Sequence, residues 1–138
     1  MSTDELVAKI RALADAEIPA DDGPGATPGY AITILRESQD FWEDEERDLI
    51  DPITLEYEAH RQEVAAGLAE IWGSPDQVEL WPILKRSIAG EAVPPLLGDL
   101  AQFAVTIDTW QVGGRMVCQG VGHEDKELPI VLFVAVGE

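Results

Sequence analysis

Seven consecutive apolar residues, Ile130 to Val136 (IVLFVAV), constrain the fold more than any other stretch of this sequence. The run is too short to cross a bilayer and offers no polar side for water, so it predicts a strand covered on both faces. Helices must supply the cover. Upstream, Gly113-Gly114 separates two alternating runs and can adopt the positive φ angles of a two-residue hairpin turn, which sets Val112 opposite Arg115. That register puts Phe103, Val105, Ile107, Met116 and Cys118 on one face, expected to be core. Thr106, Asp108, Trp110, Val117, Gln119 and Val121 fall on the other, with Asp108 directly opposite Gln119. Asp108, Trp110, Arg115 and Gln119 give this second face a mixed polar and aromatic character, suited to a covering helix or to a partner.

The remaining elements follow from periodicity and breakers. Ser2 and Glu5 form a capping box for an amphipathic, peripheral helix carrying Leu6, Ile10, Leu13 and Ala14, stopped by Pro19. Asp21 to Gly29 (DDGPGATPG) reads as a mobile loop. Tyr30 to Arg36 alternates as a strand does, with a helix running into the next segment as the alternative. Asp51 as N-cap and Pro52 at the first helical position start a long helix with the stripe Ile53, Tyr57, His60, Val64, Leu68 and Ile71 with Trp72, ended by Gly73 and Pro75. Gln77 to Trp81 reads as a strand, Pro82 opens a short helix closed by Gly90, and Pro94-Pro95 leads into one or two further helical turns. The expected fold is one α+β domain over 1–138. It has an antiparallel sheet of four or five strands ending in a β-meander, with the long helix and several short ones packed on it.

Charge bounds the function. The chain carries 27 acids and 9 bases, a formal −18 that repels nucleic acid and anionic lipid. Eleven of the acids, against two arginines, lie between Glu37 and Glu63 with Phe41 and Trp42 among them. Such a run reads as a solvated face with Phe41, Trp42, Leu49 and Ile50 buried. The sharper reading makes it a docking surface for a basic protein, with Asp40, Phe41, Trp42, Glu43, Asp44, Glu45, Glu46 and Asp48 as its residues. A third reading is an acidity shared by the whole proteome, since only Lys9, Lys85 and Lys126 are lysines.

Catalytic motifs are sparse. Glu56, His60 and Glu63 share one side of the long helix, but a metal site needs ligands from further elements, and His60 also completes the apolar stripe. His123 with Glu124 and Asp125 could act as a general base, yet no activated nucleophile stands near it in sequence. Cys118, the only cysteine, excludes an internal disulfide and reads as an inert buried thiol in a reducing compartment. The glycines of VGGR and QGVG match no phosphate loop. No cofactor or metal is expected. The N-terminal sequence has neither a basic leader nor a long apolar core, and the expected location is cytoplasmic.

The order IWGSP, LWPILKRSIAGEAVPP, TWQVGGRMV and DKELPIVL, from about Ala69 to Val136, resembles small uncharacterised actinobacterial proteins. In length, acidity and mixed helix-sheet order the chain is also similar to immunity proteins of bacterial toxin systems, which implies a basic protein partner that it neutralises or escorts. The competing expectation is a small-molecule-binding or hydrolytic domain using His60 or His123.

Overall fold

The computed structural model describes residues 2–18 and 29–137. Strands β1 (Tyr30–Glu37), β2 (Asp76–Glu79), β3 (Ala104–Val112), β4 (Arg115–His123) and β5 (Ile130–Gly137) form one antiparallel sheet in the order β1-β5-β4-β3-β2. Helices α1 (Thr3–Asp15) and α2 (Ile50–Trp72) cover one face; α3 (Trp81–Ile88) and α4 (Pro95–Ala101) cover part of the other. The fold is α+β, as the sequence predicts.

The hairpin forms in the expected register. Gly113 and Gly114 take φ of 58° and 83°, the left-handed pair that favours glycine, and Val112 faces Arg115 while Asp108 faces Gln119. β5 is buried on both sides: Leu132, Val134 and Val136 meet α1 and α2, and Phe133 and Ala135 meet α3 and α4. Tyr30–Glu37 is a strand, not a helix, because its partner β5 needs a neighbour on its second edge.

Three expectations change. Val105 is 70% exposed instead of buried, because a bulge between Ala104 and Ile107 turns both of those inward and displaces the alternation by one residue. Asp51 does not cap α2. A 3-10 helix, Asp44–Leu49, runs directly into it, and Asp51 lies in the first turn, where its charge still suits the helix dipole. Trp81 belongs to α3 and is exposed, since Pro82 at the start of that helix ends β2 early.

α1 is amphipathic and capped by Ser2, whose Oγ accepts from the Glu5 amide at 3.2 Å. It is less peripheral than its position in the sequence suggests: Leu6 and Ile10 are fully buried in the same cluster as α2 and the sheet. The two helices approach closely at Gly67, where a Cβ would meet Val7 Cγ2 at 2.8 Å. The loop expected from Asp21 to Gly29 lies outside the described residues apart from Gly29.

α2, 23 residues and about 35 Å long, crosses the sheet with Tyr57, Val64 and Leu68 buried beneath it. Val64→Asp would place a carboxylate in this interface and should cost several kcal/mol, on the order of 3–5. Leu55→Asp, at a well-exposed position of the same helix, should change the denaturation midpoint little. Equal midpoints for the two variants in urea would show that Val64 does not face the sheet.

Candidate functional site

After β1 the chain stays extended and is pinned to the segment before β5: the Ser38 amide donates to Ile130 O and the Phe41 amide to Glu127 O, both at 2.9 Å. In such a segment neighbouring side chains point opposite ways. Phe41 turns inward, fully buried and edge-on to His123 at 5.9 Å, whereas Trp42 turns outward and is 61% exposed. The 3-10 helix then lifts Glu43, Asp44, Glu45 and Asp48 into solvent beside Asp40. Glu46 is half-buried; its carboxylate accepts from the Glu43 amide at 3.1 Å and fixes the turn.

Arg47 holds this ridge to the body. Its guanidinium reaches Asp44 at 3.1 Å, Glu127 at 3.5 Å and the Phe41 carbonyl at 3.4 Å. The other exposed acids of the ridge, Asp40, Glu43, Glu45 and Asp48, make no ion pair among the described residues. Of the eight residues expected to form the docking surface, Phe41 is therefore excluded from direct contact because it is the buried root. Trp42 and the surrounding acids are the accessible part.

Three of the four residues of the second candidate surface are buried, and Arg115 is half-buried. Asp108 and Gln119 are buried under α2, and Trp110 packs against Trp72 with ring centres 6.0 Å apart while donating from Nε1 to Gly73 O at 2.9 Å. Arg115 reaches across the core edge and donates to the carbonyls of Ala14 and Ala16, closing the C-terminus of α1. Asp108 is the hub of a polar network inside an apolar interface. It accepts from Arg61 Nη1 at 2.6 Å, from Gln119 Nε2 at 3.1 Å and from Gln77 Nε2 at 3.4 Å. Gln119 Nε2 also donates to Arg61 O at 2.9 Å; these two acceptors fix the amide's orientation and leave its Oε1 without a partner among the described residues.

Burial pulls the Arg61 pKa down, but the hydrogen bond and charge of Asp108, helped by Glu58, outweigh it and hold the guanidinium above its usual range. The sequence signal for this network was the Asp108–Gln119 pairing; nothing in the stripe of α2 marked Arg61 as its counter-ion.

The histidines are engaged locally. His60 Nδ1 lies 3.2 Å from Arg36 Nη1, and Arg36 in turn bridges to Glu56 at 3.1 Å and sits 4.2 Å from the centre of the Tyr57 ring. Glu63 accepts from Thr3 Oγ1, so Glu56, His60 and Glu63 are occupied separately. His123 donates from Nε2 to Leu128 O at 2.9 Å while lining a mixed cleft of about 450 Å³ with Glu58, Arg61, Gln77, Glu79, Phe103 and Val105. Among the described residues, no three His, Cys, Asp or Glu side chains converge to hold a metal ion, and no helix is long and apolar enough to cross a membrane. No family model matches the chain, and comparison with curated proteins and with solved structures gives no significant match.

Two outcomes follow from this geometry. Arg61→Met leaves Asp108 buried without a counter-ion and should cost about 3–5 kcal/mol, while R61M/D108L should recover most of the loss; urea denaturation of the three proteins reads the coupling. Cys118 faces Thr109 inside the core, and burial pushes its pKa up to about 12 from an ordinary 9.0. The unfolded thiol ionises first, so its contribution to stability is complete below pH 9, declines above it and is lost as the pH rises through about 12. Cys118→Ser should flatten that alkaline slope in a pH series of melts, and the native thiol should resist alkylation at pH 8 until the protein unfolds.

Proposed function

We propose that the protein is a non-enzymatic binder of a basic protein, which it neutralises or escorts, and that the ridge from Asp40 to Asp51 is the contact. One observation carries this reading: Trp42 stands 61% exposed on a segment whose preceding residue, Phe41, is fully buried. The indole is thus presented from a fixed root among acids of which Asp40, Glu43, Glu45 and Asp48 make no ion pair among the described residues. Aromatic anchors inside a charged rim concentrate binding energy at a few residues, while the rim sets on-rate and partner choice.

The similarity in size and acidity to immunity proteins supports the same reading, and so does the uneven charge. Residues 1–75 carry 18 acids and 5 bases, residues 76–138 only 9 and 4. An acidity imposed on the whole proteome has no reason to collect around one tryptophan. A cytoplasmic location suits the lone buried thiol.

The immobilised protein should capture a basic partner from extract of its own cells. The association rate should fall steeply between ~50 and ~500 mM salt, as the Debye length shortens from ~14 to ~4 Å. Changing Glu43, Asp44, Glu45 and Glu46 to their amides should lower that salt slope and leave the melting temperature equal or higher, because like charges no longer crowd the ridge. Trp42→Ala should speed dissociation about tenfold or more. Unchanged capture and salt dependence in both variants would refute the ridge as the contact.

A further inference from the structure

The helices on the second face of the sheet stop short of the middle of β1: α4 reaches its first residue, where the Tyr30 hydroxyl donates to Asp99. α3 and α4 cover Ala104, Ile107, Cys118, Phe133 and Ala135, but Ile32 and Ile34 of β1 remain 36% and 44% exposed. With Phe103, Leu128 and Val131 they line an open groove of about 410 Å³, and its polar lining is two carboxylates, Glu37 and Glu124. Neither acid makes an ion pair among the described residues. β1 is also the outermost strand: seven of its eight residues pair with β5 on one side, the register shifting at Leu35 between Ile34 and Arg36, and the opposite edge has no backbone partner among the described residues. A long, partly apolar free edge is a template for another strand.

From these features we infer that β1 receives an extended segment of the basic partner by strand addition, with apolar side chains continuing the groove beside Ile32 and Ile34 and cations meeting Glu37 and Glu124. The inference rests on the proposed function for the partner's charge. A small polar ligand would find few convergent hydrogen-bonding groups here, whereas an added strand satisfies the backbone of the edge itself. A second copy of this chain would bring another −18 to an acidic rim; a basic segment meets complementary charge. The groove also opens beside the base of the ridge, since Glu37 is followed by Ser38, which pairs with Ile130.

The probe is a capped heptapeptide with lysine at both ends, valine at its third and fifth positions and threonine between, so that lysines and valines share one face of a strand. It should bind the parent protein and bind Ile34→Asp about tenfold or more weakly, with the variant's melting temperature kept as a check on folding. In E37K/E124K the preference should pass to the peptide carrying glutamate in place of lysine. N-methylation of alternate residues should abolish binding in one of the two possible patterns and spare the other, because only one edge of an added strand donates to β1. Equal binding to Ile34→Asp, equal loss with both methylation patterns, no binding at ~1 mM peptide, or concentration-dependent dimerisation that Ile34→Asp abolishes would each overturn the inference. The four ridge amides should leave heptapeptide binding in place, so unchanged partner capture by that variant, with the peptide still bound, refutes the ridge alone, whereas capture that the amides weaken in a protein that does not bind the peptide refutes the groove alone.

Discussion

Phe133 and Val134 are neighbours in β5, and both are buried, one toward α3 and α4 and the other toward α2. A strand in that position obliges the chain to supply apolar cover twice, and most of the architecture answers that demand. On one side α2 lays Tyr57, Val64 and Leu68 across the sheet, and α1 adds Leu6 and Ile10 at the crossing that Gly67 permits. On the other side the cover is thinner, and aromatic rings do part of it. Phe103 and Phe133 meet edge-on at 5.1 Å, over positions where β4 has no side chains. A Cβ at Gly122 would lie 2.3 Å from the Phe103 ring, and one at Gly120 would lie 3.0 Å from Phe133. These two glycines read in the sequence as a motif that failed to bind phosphate; their role is to admit the rings.

Apolar cover alone does not say at which register α2 should lie on the sheet, because leucine and valine slide past one another at small cost. The Arg61–Asp108 pair does. Asp108 gathers hydrogen bonds from α2, β2 and β4 at once, through Arg61, Gln77 and Gln119. Any displacement of the helix by a turn would leave a carboxylate and a guanidinium buried apart, which is far more costly than a shifted methyl group. Measured against a hydrophobic replacement, the pair adds little net stability; its effect is to penalise the alternatives.

What was legible in the sequence was what depends on near neighbours along the chain. The hairpin follows from two glycines between alternating runs, and β5 from its unbroken apolar composition. What was not legible depends on partners distant in sequence. Val105 was misplaced because a bulge carries no residue signature of its own in this strand. Asp51 and Pro52 are good helix-starting residues, but the preceding turn was already wound as a 3-10 helix, held by Glu46 and Arg47. Arg61 looked like one of two stray bases in an acidic run, and only the tertiary fold shows Asp108 beneath it. The four residues proposed as a second surface failed for the same reason: a polar face on a sheet reads alike whether a partner or the chain's own helix covers it.

The fate of Phe41 and Trp42 turns on that distinction as well. As a solvated helix face, the acidic run would have buried both rings together on one side. The extended backbone from Ser38 to Glu43 instead separates them, and the hydrogen bonds to Glu127 and Ile130 leave no freedom for the pair to exchange places. Phe41 fills the space against His123, so Trp42 has no way into the core. Acids predominate beside it, and Arg47, which pairs with Asp44, also reaches back to Glu127 and the Phe41 carbonyl. Repulsion among these acids is tolerated because they stand on a short exposed helix where water screens them, while the buried carboxylate of Asp108 is paired. The ridge and the groove beside it thus lie where the fold has least at stake, at the edge of β1 and beyond, so the cationic partner proposed for them would not disturb the core that positions them.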